Sequence, residues 1–430
     1  MKERDLQILK IAVPSIVTNI TVPLLGLIDT AIVGHMGNAA YIGAIAVGTM
    51  IFNLVYWVFG FLRMGTGGMT AQARGRRDFA EAVSLLVRSC LVSLGISLLL
   101  LLLQWPLFEL MLSLIEPTEE VRSLTASYFY IVVWGAPASL GMFALTGWFV
   151  GMQNTRIPML VSIIQNVINI LVSLLLVYGI GMKVEGVALG TLIAQYAGLI
   201  IALFYLWRYY RRLFRYSFHL LPLTPFFRVN SDIFLRTVFL VAVNLFFTAA
   251  GARQGATILA VNTLLMQLYL LFSYVLDGFA YAGEALGGRY WGARNDKAFR
   301  EVVHRLFGWG ALVTLLFTTV YVVGGMSFLC LLTDEPQVVE ASHDYVWWAW
   351  LVPIAGVAAF IWDGIFIGTT QTRGMLLSSV VATVVFFVGI ACLMTFMGNH
   401  GLWLSMLLYL FTRGIVQTFL YCRGREKVKK

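Results

Sequence analysis

The sequence predicts an all-α polytopic membrane protein: twelve transmembrane helices in two six-helix bundles, related by a pseudo-twofold axis along the membrane normal. Three observations predict it. Of 430 residues, 60% are hydrophobic and only 12% are charged, about half the charged share of a soluble domain. Apolar runs long enough to cross a bilayer, about 20 residues each, recur twelve times. The chain also repeats itself at an offset of about 217 residues. Gly151-Met152-Gln153-Asn154-Thr155-Arg156 returns as Gly368-Thr369-Thr370-Gln371-Thr372-Arg373. Gly75 returns as Gly292, Gly147 as Gly364, and Val121 as Val338 behind Asp334-Glu335. A duplicated membrane-spanning unit is the signature of a transporter, with the substrate path where the halves meet.

The first run, 8–34, follows a charged start but lacks a small-x-small cleavage site, so it is expected to be a helix, not a removable leader. The next five are 42–66, 82–104, 124–151, 157–179 and 185–207, completing an N-terminal bundle over 1–207. Residues 208–231 form the longest polar stretch and are expected to be a cytoplasmic linker, where Pro222 and Pro225 suit extended chain. The C-terminal bundle, 232–430, holds spans 232–254, 257–283, 301–323, 341–368, 374–397 and 400–422. Six is even, so both halves enter from the same side and the repeat is parallel, not inverted.

Orientation follows from the basic residues. Twenty-five Lys and Arg, from Lys2 to Lys430 and counting Arg236 at the start of span seven, fall on the side of the termini and linker. Only Arg122, Lys183 and Arg253 fall on the other side. Both termini are therefore expected in the cytoplasm, and the net charge of +9 is a topology signal, not a nucleic-acid footprint. Cys90, Cys330, Cys392 and Cys422 form no close-spaced pair, so no zinc site, redox centre or disulfide framework is expected. There is no GxxxxGK[ST] loop and no room for a nucleotide-binding fold. Uphill transport would have to run on an ion gradient, without a cofactor.

Ionisable side chains inside spans cost about 2.5–3.5 kcal/mol each on insertion scales, so they mark function or pairing. Asp29 lies in Pro23-Leu24-Leu25-Gly26-Leu27-Ile28-Asp29-Thr30-Ala31, with no cation within one turn on its own helix. Asp277 and Asp363 lie in spans eight and ten, either locked in hydrogen bonds within the second half or as a candidate site there for an ion or a substrate. Arg63 and Arg413 suit snorkelling or structural pairing, and Glu284 suits pairing with Arg289 or capping a charge network. Asn166, Asn169 and Thr191 are neutral oxygen donors in spans five and six. Taken singly, each fits a helix–helix hydrogen bond as well as a ligand. Pro14 and Pro23 interrupt helix one, as a switch or as a static kink.

These residues carry a resemblance. Asp29-Thr30-Ala31-Ile32-Val33-Gly34-His35 resembles a D-T-A-x-V-G-H segment, and Gly151 to Pro158 a G-x-Q-[DN]-T-[RK]-x-P turn. Asp277-Gly278-Phe279-Ala280 and Asp363-Gly364-Ile365-Phe366-Ile367-Gly368 resemble second-half signatures. In order, on a duplicated twelve-span frame, they are similar to multidrug and toxic compound extrusion (MATE) transporters of the DinF-like branch, over nearly the whole chain. The resemblance implies two bundles around a V-shaped cavity in a bacterial inner membrane. It implies a monomer that exchanges cationic or amphipathic small molecules for protons or sodium. It assigns Asp29 as the coupling carboxylate, Pro14 as the proline that bends on protonation, and Asn169 and Thr191 as its polar partners. Ser173 stands where the branch often has a second aspartate. A lone carboxylate favours a proton over sodium, which prefers several hard oxygen ligands. In the expected cycle, burial disfavours the charged form of Asp29. It takes a proton from outside, helix one repacks, and the cargo leaves outward.

Three rivals remain. A lipid-linked precursor flippase of the same superfamily would line its cavity with several arginines for pyrophosphate, whereas the sequence puts only Arg63 and Arg413 in spans. A sugar or metabolite porter of another twelve-helix family shares only the Arg74–Asp78 loop character. A membrane-embedded enzyme would need clustered His, Asp or Glu, and His35, His219, His304, His343 and His400 are far apart.

Overall fold

The computed structural model describes residues 3–34, 38–216, 219–220 and 223–429, without the side chains of 22, 25, 27, 33, 114 and 424–429. Lys2, His35, Pro222 and Lys430 lie outside the described residues. The described residues form helices and no strands. We number the long helices α1 (Glu3–Gly34), α2 (Ala39–Gly75), α3 (Phe79–Leu102), α4 (Glu119–Gly151), α5 (Arg156–Gly179), α6 (Val184–Arg215), α7 (Thr224–Ala252), α8 (Ala256–Gly292), α9 (Asp296–Leu332), α10 (Pro336–Gly368), α11 (Thr372–Met397) and α12 (Asn399–Arg423). The eleven from α2 to α12 are long and apolar enough to cross a membrane, and α1 carries the first predicted span. Large apolar side chains stand outward, with Val323 and Leu331 both 81% exposed. Such a surface suits lipid and not water.

The duplication is visible in backbone detail. Turn residues with left-handed backbone come in pairs: Arg77 (φ 61°) with Arg294 (φ 53°), and Gln153 (φ 58°) with Thr370 (φ 54°). The next helices are capped alike. Asp78 accepts from the Glu81 amide at 2.9 Å and Asn295 from the Ala298 amide at 3.1 Å, each satisfying an orphan donor of a first turn. A five-residue π segment ends α5 at Leu175–Gly179 and recurs in α11 at Ile390–Met394.

Two compact units emerge, one of Val17–Thr224 and one of Met1–Ile16 with Pro225–Lys430. The sequence places residues 1–16 with the first bundle, but their contacts lie with the second. Arg4 pairs with Glu301 at 3.4 Å, and Asp5 pairs with Arg305 at 3.5 Å while accepting from Trp309 at 3.3 Å. Gly278 on α8 makes this fit possible, since a Cβ there would lie 2.8 Å from the Ala12 carbonyl. The division between the units falls two residues after Pro14, inside α1. The helix nevertheless continues through Pro14 and Pro23, so neither proline breaks it.

The segment between the halves is shorter than the sequence suggests. Arg211–Arg215 is a 3-10 turn extending α6, and α7 already begins at Thr224. Pro225 opens that helix, where its missing N–H costs nothing. The Arg88 guanidinium, buried on α3, donates to the His219 carbonyl at 2.7 Å and the Leu220 carbonyl at 3.0 Å. Because α7 starts early, Arg236 is not a boundary charge: it is buried about three turns inside the helix. The basic asymmetry survives its removal.

Candidate functional site

Asp29 is 5% exposed. Its Oδ1 is buried without a hydrogen-bond partner, and no ion pair reaches it among the described residues. Ile28 and Ile32 on either side pack into an apolar core with Phe52, Phe129, Val184 and Val187. The Tyr178 hydroxyl on α5 holds this stretch of α1 by donating to the Ile32 carbonyl at 2.9 Å. Tyr128 of α4 is the polar neighbour: it lies within electrostatic reach of Asp29, with Thr49 and Thr191 beside it. Its ring fits because α2 carries Gly48 there, where a Cβ would stand 2.4 Å from the ring. Sequence reasoning missed Tyr128, which sits in Ser127-Tyr128-Phe129-Tyr130 and reads as ordinary aromatic packing.

Asn169 and Ser173 are one turn apart on the buried face of α5, both 0% exposed. Asn169 Nδ2 donates to Thr191 Oγ1 at 3.1 Å, and Thr191 donates onward to the Val187 carbonyl at 3.1 Å. Asn169 Oδ1 and Ser173 Oγ are buried without partners. The first unit thus holds three such oxygens on α1 and α5, an unusual density of unmet polar atoms. Asn166 does different work, donating to the Thr21 carbonyl of α1 at 3.0 Å. No direct hydrogen bond joins Asp29 to Asn169, Ser173 or Thr191 among the described residues. Tyr128 stands beside Thr191 and within electrostatic reach of Asp29.

Gly190 on α6 makes room for Ser173. A Cβ there would stand 2.1 Å from Ser173 Oγ and 3.0 Å from its backbone nitrogen. Gly190→Ala is expected to cost about 1–3 kcal/mol by overpacking, read as a lower melting temperature of the purified protein. An unchanged melting temperature would refute this packing.

In the second unit, Asp363 is committed. Arg236 and Arg413 both donate to its Oδ2, Arg413 at 2.5 Å, and Gln417 donates to Oδ1 at 2.6 Å. A cation could take Asp363 only if these donors left. Asp277, half-buried on α8, accepts from Ser273 at a long 3.5 Å. It stands within electrostatic reach of Tyr269, as do both arginines. The structure therefore puts Asp277 and Asp363 in one neighbourhood, with arginines the sequence did not pair to them. Pro14 is buried in α1, and Glu284 is 1% exposed on a π segment of α8.

A duplicated helical membrane protein with an unpaired buried carboxylate belongs to the class of membrane transporters. The family model described as MatE matches residues 14–175 and 233–392, and the chain belongs to that family, whose members are transporters and not enzymes. It is 37% identical over 411 residues to DNA damage-inducible protein F of Escherichia coli, covering 94% of this chain and 89% of that protein. It is 26% identical over 355 residues to a probable multidrug resistance protein NorM of Thermotoga maritima, covering 78% of this chain and 74% of that one. A MATE structure in a bent conformation superposes with a TM-score of 0.87 at 19% identity, covering 98% of this chain and 95% of the other. A MOP superfamily transporter from Pyrococcus furiosus, described as having a binding pocket of reverse polarity suggesting a different function, superposes at 0.86 with 20% identity, covering 99% and 97%.

Proposed function

We propose that the chain is a secondary antiporter that exports cationic or amphipathic compounds in exchange for protons. The reading includes alternating access, a bacterial inner membrane, cytoplasmic termini and action as a monomer. One observation carries it: Asp29 is buried, has no ion pair among the described residues, and leaves Oδ1 unpartnered. A buried carboxylate without a counter-charge is costly when ionised, so binding a proton changes the energetics of α1 directly. Tyr128, Thr191 and Asn169 supply a polar path from α4 through α6 to α5. Pro14, two residues from the division between the units, is the point at which α1 would bend.

Protons are favoured over sodium because Ser173 leaves the cluster with one formal charge, and a sodium cage prefers more hard anionic oxygen. One proton moving through about 150 mV supplies roughly 3.5 kcal/mol, which sustains a gradient of about a few hundredfold for an electroneutral cargo. The deciding experiment is efflux of rhodamine 123 from reconstituted vesicles under an imposed pH gradient, then under an imposed sodium gradient. Efflux with the pH gradient alone is expected. Efflux with the sodium gradient alone would reverse the ion assignment, and efflux with neither would end the antiport reading.

The buried Arg236 gives one point to the flippase alternative, since it joins Arg63, Arg88 and Arg413 as arginines buried within helices. Two of those four already hold Asp363 and Arg88 holds the His219 and Leu220 carbonyls, which weighs against a free pyrophosphate clamp.

A further inference from the structure

We propose that the end of α6 is a docking surface for an anionic phospholipid. Arg208, Arg211, Arg212 and Arg215 take the headgroup phosphate, and the exposed rings beside them take the glycerol and the upper acyl chain. The choice of the cytoplasmic leaflet rests on the orientation proposed above; the binding does not.

The end of α6 lies at headgroup depth. Between Glu185 and Arg208 the sequence carries no charge. As helix, that stretch runs about 33 Å, close to the hydrocarbon thickness of about 30 Å. Arg208 therefore stands where headgroups begin. Along one ridge of the helix, at spacings of three and four, Ile200, Phe204, Trp207 and Arg211 are all exposed. The ridge passes from aliphatic to aromatic to cationic, with Phe204 61% and Trp207 65% exposed. Tryptophan is favoured at this boundary, where one end of the ring is apolar and the other wet.

The charge there is uncompensated by the chain. Arg208, Arg211, Arg212 and Arg215 are all exposed, and among the described residues none of them makes an ion pair. No Asp or Glu occurs between Glu185 and Asp232. Any basic loop would serve to orient the protein, but the other basic stretches carry their own acids or spend their arginines. Arg76 and Arg77 precede Asp78 and Glu81, and Arg294, Lys297 and Arg300 alternate with Asp296 and Glu301. Arg4, Arg88 and Arg305 hold Glu301, Glu81 and Asp5. Four or more basic residues beside a span are the pattern that anionic headgroups recognise.

The arginines are also held in place by their neighbours. Tyr210 and Leu213 pack against the core around Trp148, and the Tyr210 hydroxyl accepts from Asn154 Nδ2 at 3.1 Å. Tyr216 rests on Phe79 of α3, ring centroids 6.1 Å apart. The 3-10 turn Arg211–Arg215 brings residues three apart into register, so Arg212 and Arg215 stand one above the other, and Arg208 precedes Arg211 by the same step. A backbone fixed in this way loses less freedom on binding, and planar guanidiniums match phosphate oxygens. The apolar ridge above them selects a lipid over a free phosphate, because only a lipid fills both.

The test uses the full chain in phosphatidylcholine nanodiscs holding a minor fraction of phosphatidylglycerol with the same acyl chains, and native mass spectrometry to count the lipids that stay bound. Wild-type protein is expected to retain phosphatidylglycerol in preference to phosphatidylcholine. Arg211→Gln, Arg212→Gln and Arg215→Gln should each weaken that preference about fivefold, or about 1 kcal/mol. The triple replacement Arg294→Gln, Lys297→Gln and Arg300→Gln at the α8–α9 turn should leave it unchanged. No preference in wild type, or an equal loss in the α8–α9 variant, overturns the surface. Tryptophan quenching by brominated phosphatidylglycerol locates the lipid without the arginine variants. Quenching should fall in Trp207→Phe, and by more than it does with brominated phosphatidylcholine; an equal fall overturns the location. Glycerol phosphate in solution should not relieve the quenching, and relief would assign the arginines to a free phosphate and overturn the lipid. If pH-driven efflux of rhodamine 123 persists while the lipid preference is absent, only this inference falls.

Discussion

Vesicles carrying Asp29→Asn are expected to lose pH-driven efflux down to the level of protein-free vesicles, a fall of at least about tenfold on the scale by which removed proton carriers are judged. The substitution is nearly isosteric, so it tests the proton and not the packing. An amide cannot titrate, and it fixes this position in a form resembling the neutral acid. The protein should still fold. It should melt no lower than wild type near neutral pH, because a buried carboxylate without a counter-charge has been replaced by a neutral group. Substrate binding should persist, since the loss belongs to the coupling step. Asp29→Glu, which keeps the acid one methylene further out, should retain partial activity. Undiminished efflux in Asp29→Asn would remove this carboxylate from the mechanism and move attention to Asp277, the half-buried acid of α8.

How much of this was legible without coordinates depends on the range of the interaction. Spans are legible because a bilayer imposes a one-dimensional rule of length and hydropathy, and each predicted run falls on a helix. The repeat is legible because duplicated backbone demands duplicated residues, as at Gly147 and Gly364. The Asp29 cluster was half legible. Asn169 and Thr191 do meet, but Tyr128, within electrostatic reach of Asp29 and beside Thr191, comes from a helix whose aromatic run gives no hint of a special member. That Asp363 is locked in hydrogen bonds was one of two readings open; which residues hold it was not legible. Its partners Arg236, Arg413 and Gln417 come from α7 and α12, and pairing between helices leaves no periodic trace in sequence. Arg236 was hidden by a boundary error, because a polar approach to α7 reads as linker although its backbone is already helical. The grouping of residues 1–16 with the second half was hidden too. It depends on side chains such as Asp5 meeting Arg305, 300 positions away.

The second large effect follows from the glycines that the duplication preserves. On α4, a Cβ at Gly147 would stand 2.2 Å from the Arg63 carbonyl oxygen; on α10, a Cβ at Gly364 would stand 2.1 Å from the Ala280 carbonyl oxygen. One turn on, a Cβ at Gly151 or Gly368 would stand 2.6 Å from the Gly67 carbonyl oxygen and 2.5 Å from that of Glu284. Each half therefore brings one helix onto the bare backbone of another at matching places, the close approach that small residues permit in membranes. The obstacle is main chain, not a flexible tip, so relief would require moving a whole helix. Overpacking usually costs about 1–3 kcal/mol and occasionally more, and here the upper end or beyond is expected, against a total stability of order 5–15 kcal/mol. Gly147→Val and Gly364→Val should each yield no monodisperse protein on size exclusion. Gly324→Val, at a position with nothing within 4 Å, should purify as wild type does and melt close to it, a control that separates the loss of glycine from the loss of space. Normal yield and melting in either of the first two would mean that these helices do not touch, and the paired architecture built on the repeat would have to be redrawn.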